Sequence, residues 1–357
     1  MPNLFDPLTI NKMEIKNRFV RSATVENLGD RGMVTDALLD LYRELAKGEV
    51  GLAITGGLYP KKAGQILPGQ LAADTDEAIP GLVRLVKVVH ENGGKIAAQI
   101  LHAGGYCSPE LTGFQAEGPV AMKNPYSGLQ VRALSSDDVH ELVELYVQAT
   151  RRAIEAGFDA VQIHAAHSHL ISLFLSPAVN NRDDEWGGSA ERRSMFLREI
   201  YRGMRRLAGP DYPILVKIGL LDTHPQGKPL SEGLDTARSL ESEGIDCIEV
   251  SEGFEGEGAH HIRLGAIKPY YVQECREARR VLSLPLMLVG GMRALSDMKA
   301  ILGQQVADAI SMCRPLIMDP HIVRAFREGS MHESECNSCN QCLEEMSHGS
   351  PLRCVLV

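Results

Sequence analysis

The sequence predicts an α/β chain folded as a (β/α)8 barrel with a short Cys-rich C-terminal extension. Three observations lead there. Short β-branched runs alternate with amphipathic helical stretches, eight of each. Eight strands, each followed by a helix, is the count that closes a parallel barrel. The richest cluster of chemical side chains, His164-Ala-Ala-His167-Ser-His169, follows the fourth run, at the strand end where such folds keep their active sites.

In chain order the strands are expected at Phe19–Ala23, Val50–Thr55, Lys95–Leu101, Asp159–His164, Pro213–Gly219, Asp246–Ser251, Pro285–Gly290 and Asp308–Met312. Helices are expected at 35–47, 78–92, 135–156, 189–208, 231–243, 268–282, 294–303 and 319–328. The start at Ser189 carries its own signals, a capping hydroxyl and the acidic Glu191 in the first turn. Ala103 to Leu134, rich in Gly and Pro, reads as an irregular excursion after the third strand that helps cover the barrel mouth. The expected organisation is a barrel over residues 1–330 and a Cys-rich segment over 331–357 packed on it.

Composition narrows the function classes. The chain has 357 residues, 44% hydrophobic and 23% charged, as in an ordinary globular protein. A net charge of -9 argues against phosphate-backbone binding, and so against nucleic acid as a partner. No apolar run reaches membrane-spanning length, and Met1 to Val20 lacks a signal-peptide core, so a cytoplasmic location without a membrane partner is expected. Eight cysteines in such a chain point to metal or redox use rather than disulfides.

His164 and His167, three apart, are expected on one side of a short turn, where two imidazoles can clamp a carbonyl oxygen. Zinc is the weaker reading there, since no nearby carboxylate or Cys completes a tetrahedral set. Gly290 and Gly291 close the seventh strand and Arg314 follows the eighth, the two loops where barrels of this kind hold a phosphate. Arg314 is expected to give that phosphate a forked contact. No Gly-x-Gly-x-x-Gly follows a strand, so a cofactor with a single phosphate fits better than a dinucleotide on a Rossmann unit.

Four motifs carry a family resemblance: Asn17-Arg18-Phe19-Val20-Arg21-Ser22-Ala23-Thr24; Ala98-Gln99 through His102-Ala-Gly104; the histidine stretch through Asn181, Asp184 and Trp186-Gly-Gly-Ser189-x-Glu191-Arg192; and Arg314-Pro315. Together they resemble the Old Yellow Enzyme family of NAD(P)H:flavin oxidoreductases. The resemblance implies non-covalent FMN in a barrel mouth, reduced by NAD(P)H that leaves so a second substrate can enter. It implies that Ser22, Ala23, Thr24 and Gly57 line the flavin and Gln99 bonds its pyrimidine edge. Lys217 would lie near N1 and O2, with Gly290, Gly291 and Arg314 at the phosphate. His164 and His167 match the pair that holds a substrate carbonyl or nitro oxygen. His169 stands where the family's ene-reductases have a proton-donating Tyr, and Val25 where many members have Cys or Thr.

The tail spacing, Cys336-x-x-Cys339-x-x-Cys342 and then Cys354, is compact enough for four thiolates on one centre. It resembles the segment that binds a [4Fe–4S] cluster after the barrel in trimethylamine dehydrogenase and 2,4-dienoyl-CoA reductase. A four-Cys zinc site and unliganded thiols are the alternatives. The expected activity is NAD(P)H-driven reduction of an activated alkene (enone or dienoyl type) or a related small electrophile. A flavin/iron–sulfur electron-transfer dehydrogenase, with an electron-transfer partner, is one rival. A flavin-free sugar-phosphate barrel with Lys217 as Schiff-base lysine is another. A homo-oligomer is left open. With Trp186 committed to its motif, aromatic caging of a methylated amine is weakly supported, although Tyr59 and Tyr106 could lie near the pocket.

Overall fold

Eight parallel strands close on themselves in chain order. They are β1 (Phe19–Arg21), β2 (Leu52–Ile54), β3 (Lys95–Ile100), β4 (Ala160–Ala165), β5 (Ile214–Leu221), β6 (Cys247–Glu252), β7 (Leu286–Leu288) and β8 (Ala309–Met312). The helices that follow them are α1 (Asp36–Lys47), α2 (Ile79–Glu91), α3 (Ser136–Glu155), α4 (Ala190–Ala208), α5 (Leu230–Glu243), α6 (Val272–Val281), α7 (Leu295–Gly303) and α8 (Ile322–Glu328). This computed structural model describes residues 2–124, 128–256 and 262–357. None of its helices is long and apolar enough to cross a membrane.

Strand alternation divides the barrel interior into two storeys. Toward the N-terminal ends of the strands, Val20, Leu52, Ile54, Ala97, Ala160, Leu215, Cys247, Met287 and Ala309 form one apolar cluster. An antiparallel hairpin, Leu8–Ile10 with Met13–Ile15, plugs that end by adding Ile10, Met13 and Ile15 to the same cluster. Two positions further along several of these strands the inward residues turn polar: Ser22, Gln99, Gln162, Lys217 and Glu249 are all buried.

Every expected strand and helix is present, with shifted ends. α6 begins at Val272, not near 268: Pro269 breaks the register, and Tyr270 N donates to Gly290 O, tying this stretch to the loop after β7. α8 begins at Ile322, not 319, because Pro320 disfavours helix at Asp319, whose carboxylate instead accepts from His321 N at 2.8 Å. α3 and α4 start as their caps dictate. Ser135 and Asp138 form a capping box, and the Ser189 hydroxyl accepts from Arg192 N. The Asp184-x-Trp186 pair proves structural: Asp184 accepts from Arg182 and from Trp186 N, while the buried Trp186 indole donates to Ser136 Oγ.

The excursion after β3 is more ordered than expected. Of its span, residues 125–127 lie outside the described ones. It holds a three-stranded sheet in which Gln130–Ala133 pairs parallel with Ala116–Gly118 and antiparallel with Met122–Lys123. Ala116 and Val131 pack with Leu101, Ala103 and Cys107, which fastens the sheet to the end of β3. Glu117 is the electrostatic anchor. Its carboxylate takes Arg132 at 2.5 Å and Lys61 at 3.4 Å, and lies 3.2 Å from buried His102 Nε2. Burial alone would push Glu117 up, but these partners outweigh it and hold it at about 2. Burial also keeps His102 below its ordinary value, so near neutral pH the two cations carry the charge balance.

A carboxyl lowered on folding contributes stability above its unfolded value, and loses it as pH falls toward the folded one. Glu117→Gln is therefore expected to cost about 2–3 kcal/mol near pH 7. The gap to the native chain should narrow between roughly pH 4.5 and 2. Urea denaturation of both proteins across that range checks it; a gap that does not move with pH would refute the assignment.

Candidate active site

The C-terminal ends of the strands open into one cavity of about 420 Å³. All three histidines of the cluster line it, and so do all nine residues expected to hold FMN: Ser22, Ala23, Thr24, Gly57, Gln99, Lys217, Gly290, Gly291 and Arg314. Val25 and Tyr106 line it too, whereas Tyr59 is buried in the main hydrophobic core.

His164 is an inward residue of β4. The chain then leaves the strand through two successive left-handed residues, His167 (φ 59°) and Ser168 (φ 59°), and His169 caps the short helix Leu170–Leu175. The expected helical turn is therefore absent; a strand end and a left-handed bend bring the imidazoles together instead. For non-glycine residues that bend costs about 1–2 kcal/mol each. It is held by His167 N donating to Glu252 O at 3.0 Å and Ser168 N to Gly253 O at 3.2 Å, both at the end of β6. The rings of His164 and His167 lie 5.1 Å apart at 84°, and those of His164 and His169 4.9 Å apart at 75°. His167 Nε2 sits 2.7 Å from Ser251 Oγ. The His169 ring faces Tyr106 edge-on at 5.6 Å.

On the cavity's polar floor, Lys217 Nζ donates to Ser22 Oγ at 2.8 Å and pairs with Glu249 at 3.4 Å. Gln99 Nε2 donates to Gln162 Oε1 at 2.7 Å. Such a lysine is a fixed ammonium with a carboxylate partner, poorly suited to the desolvated nucleophile that a Schiff-base mechanism needs. Glu249 and Gln162 escaped the sequence reading. The signal was available: Lys217 and Glu249 are charged residues inside otherwise apolar strands, in register with each other across β5 and β6.

Opposite the histidines, Gly290 (φ 100°) and Gly291 (φ 71°) run in left-handed conformation. A Cβ on Gly291 would lie 2.0 Å from Lys268 O, so only glycine fits. The bare backbone there, beside Arg314, suits a phosphate. Arg314 is not wholly available, however. Its Nη1 donates to Arg263 O (3.0 Å), Ser338 O (3.2 Å) and Asn340 Oδ1 (2.7 Å), so the fork expected toward phosphate is partly committed to the tail.

That tail is part of the cavity wall. Ser338, Leu343 and Met346 line the mouth, and Cys336, Cys339, Cys342 and Cys354 line a second, small cavity that Arg314 also borders. Among the described residues no group of three or more His, Cys, Asp or Glu is arranged to hold a metal ion.

Residues 3–333 match the NADH:flavin oxidoreductase / NADH oxidase family. The chain is 34% identical over 346 residues to an NADH oxidase of Thermoanaerobacter brockii, covering 95% of this chain and 53% of that protein. It is 33% identical over 323 residues to an NADPH dehydrogenase of Bacillus subtilis (strain 168), covering 90% and 93%. Among solved structures, a 2-naphthoyl-CoA reductase in complex with 2-naphthoyl-CoA superposes with a TM-score of 0.93 at 26% identity, over 99% of this chain and 57% of that one. The chain thus spans about half the length of the NADH oxidase and of the naphthoyl-CoA reductase. With the match running through barrel, glycine turn and histidine bend alike, the chain belongs to the NADH:flavin oxidoreductase / NADH oxidase family.

Proposed function

We propose that residues 1–330 hold FMN in the barrel mouth and that the protein uses NAD(P)H to reduce an activated alkene, of enone or dienoyl type, or a related electrophile by ping-pong hydride transfer. The observation that carries this reading is the convergence on one cavity of three imidazoles, a Gln/Lys floor and a left-handed glycine turn. The NADPH dehydrogenase and 2-naphthoyl-CoA reductase relatives support a nicotinamide donor and an electron-poor acyl acceptor.

When bound, FMN would supply the hydride. The residues supply the rest. Gly290, Gly291 and Arg314 would grip the phosphate, and Ser22, Ala23, Thr24 and Gly57 would border the ring. Gln99 would meet the pyrimidine edge with both donor and acceptor, and Lys217 would lend positive charge nearby. His164 and His167 would donate to the substrate oxygen and so draw electron density from the alkene. Ser251 holds the His167 ring for that task. His169, its Nδ1 3.4 Å from Ala103 O, lines the same cavity and could deliver the proton that a Tyr gives in related enzymes.

A second reading concerns the tail. The four cysteines line one small cavity, and their compact spacing in the sequence suits one shared centre, read here as a [4Fe–4S] cluster with zinc as the alternative. Such a cluster would make one-electron exchange with a partner open to this chain.

Three outcomes follow. His164→Ala with His167→Ala should keep FMN and flavin reduction by NAD(P)H but slow the oxidative half-reaction about 100- to 1000-fold in stopped-flow. Equal loss in both half-reactions would remove the clamp role. Gly291→Ala should purify with FMN content lowered about tenfold or more, read by flavin absorbance after denaturation. Anaerobically purified protein should contain iron and sulfide and lose both in Cys336→Ser; a spectrum of flavin alone would end the cluster reading.

A further inference from the structure

Ser22, Gln99 and Lys217 face the cavity from its floor, yet they do not act separately. All three are wired to one carboxylate outside the cavity lining. Glu249, in mid-β6, is 1% exposed. Its Oε1 accepts the Ser22 hydroxyl at 2.6 Å and lies 3.4 Å from Lys217 Nζ. Its Oε2 accepts Gln162 Nε2 at 2.9 Å, and Gln162 Oε1 in turn accepts Gln99 Nε2.

A carboxylate only accepts, which sets the direction of every bond in this chain. Gln162 must give its amide protons to Glu249, so its carbonyl turns toward Gln99. Gln99 must then donate, leaving its carbonyl and one amide proton for the cavity. The Ser22 proton is committed to Glu249, so Ser22 meets Lys217 only as acceptor. Charge follows the same logic. Two opposite charges held this close inside the barrel nearly cancel as seen from the cavity.

We infer that Glu249 is a positioning residue whose buried charge, as the counter-ion of Lys217, sets how strongly the barrel mouth prefers reduced over oxidised FMN. This rests on the FMN reading above. Hydride from NAD(P)H brings two electrons and one proton, so FMN reduced by it gains one net negative charge. A lone ammonium beside it would favour that gain strongly. With Glu249 behind it, Lys217 contributes much less. The carboxylate thereby keeps the reduced cofactor from becoming so stable that it will not pass its hydride on.

The test compares four proteins at one pH: native, Glu249→Gln, Lys217→Gln and the double variant. The readouts are apoprotein affinity for oxidised FMN and for dithionite-reduced FMN, and the flavin midpoint potential by spectroelectrochemistry. Glu249→Gln should raise the preference for reduced FMN about tenfold, which for a two-electron couple is about 30 mV. Lys217→Gln should lower it about tenfold, and the double variant should return to within about threefold of native. If Glu249→Gln does not fold, the comparison of Lys217→Gln with the double variant carries the same test. An unchanged preference in Glu249→Gln, or a double variant no different from Lys217→Gln, overturns the counter-ion role. A native protein that binds neither form of FMN overturns the cofactor reading instead.

Discussion

The constraint on which this structure rests is that a closed eight-stranded barrel has one interior and must fill it. Alternate residues of every strand point there, and no water is at hand to satisfy what they carry. Near one end the chain meets the constraint with aliphatic side chains and a hairpin plug. Two residues further along it places a lysine and a glutamate on neighbouring strands. Burying either ion alone would cost several kcal/mol. Together, with Ser22 and Gln162 completing the hydrogen bonds, they form a polar shelf at the depth where the cavity begins. The change from apolar to polar inside the barrel is thus also the boundary between scaffold and site.

Above that shelf the site is shaped by backbone that only certain residues tolerate. The bend at His167 and Ser168 holds two non-glycine residues left-handed, and the carbonyls at the end of β6 secure it. Strain kept at a functional bend by hydrogen bonds from a neighbouring strand fits a role in aiming side chains. Here it turns His167 and His169 back toward His164, which the strand alone already points inward. Across the mouth, Gly290 and Gly291 solve the opposite problem. A side chain there would strike Tyr270 or the Lys268 carbonyl, so backbone alone is offered to a ligand.

How much of this was legible in the sequence depended on whether the cause was local. Strand and helix identities were readable because short β-branched runs and the 3.6-residue period of amphipathic helices are written in consecutive residues. Cavity residues were readable because the motifs that carry them sit at strand ends, and those twelve positions do meet in space. The shape of the histidine turn was not, since a three-residue spacing suits a helical turn and a left-handed bend equally well. The small sheet of the excursion was hidden by strands of two to four residues among glycines. The partial commitment of Arg314 to the tail depends on Ser338 and Asn340, more than twenty residues away. Glu249 is the instructive omission. Its charge in a strand was visible, and its parity with Lys217 could have been counted, but only registration of β5 against β6 makes them partners.

The tail shows why site and scaffold cannot be assigned to separate segments of this chain. Leu352 N donates to the carbonyl of Glu26, and Asn27 Nδ2 to the carbonyls of Gly349 and Ser350, so the last turn of the chain is stitched to the loop after β1. Ser338 is in turn clasped by Gly265 N and donates to Ala266 O in the loop after β6. Cys339 and Cys342 lie between these two anchors and Cys336 and Cys354 just outside them, with Leu343 and Met346 reaching the mouth cavity. Any group held by those thiols would stiffen a wall of the cavity, and any change in Arg314 would reach both cavities through the same guanidinium. The two cavities therefore share Arg314, whose hydrogen bonds to Ser338 and Asn340 tie the tail to their common wall.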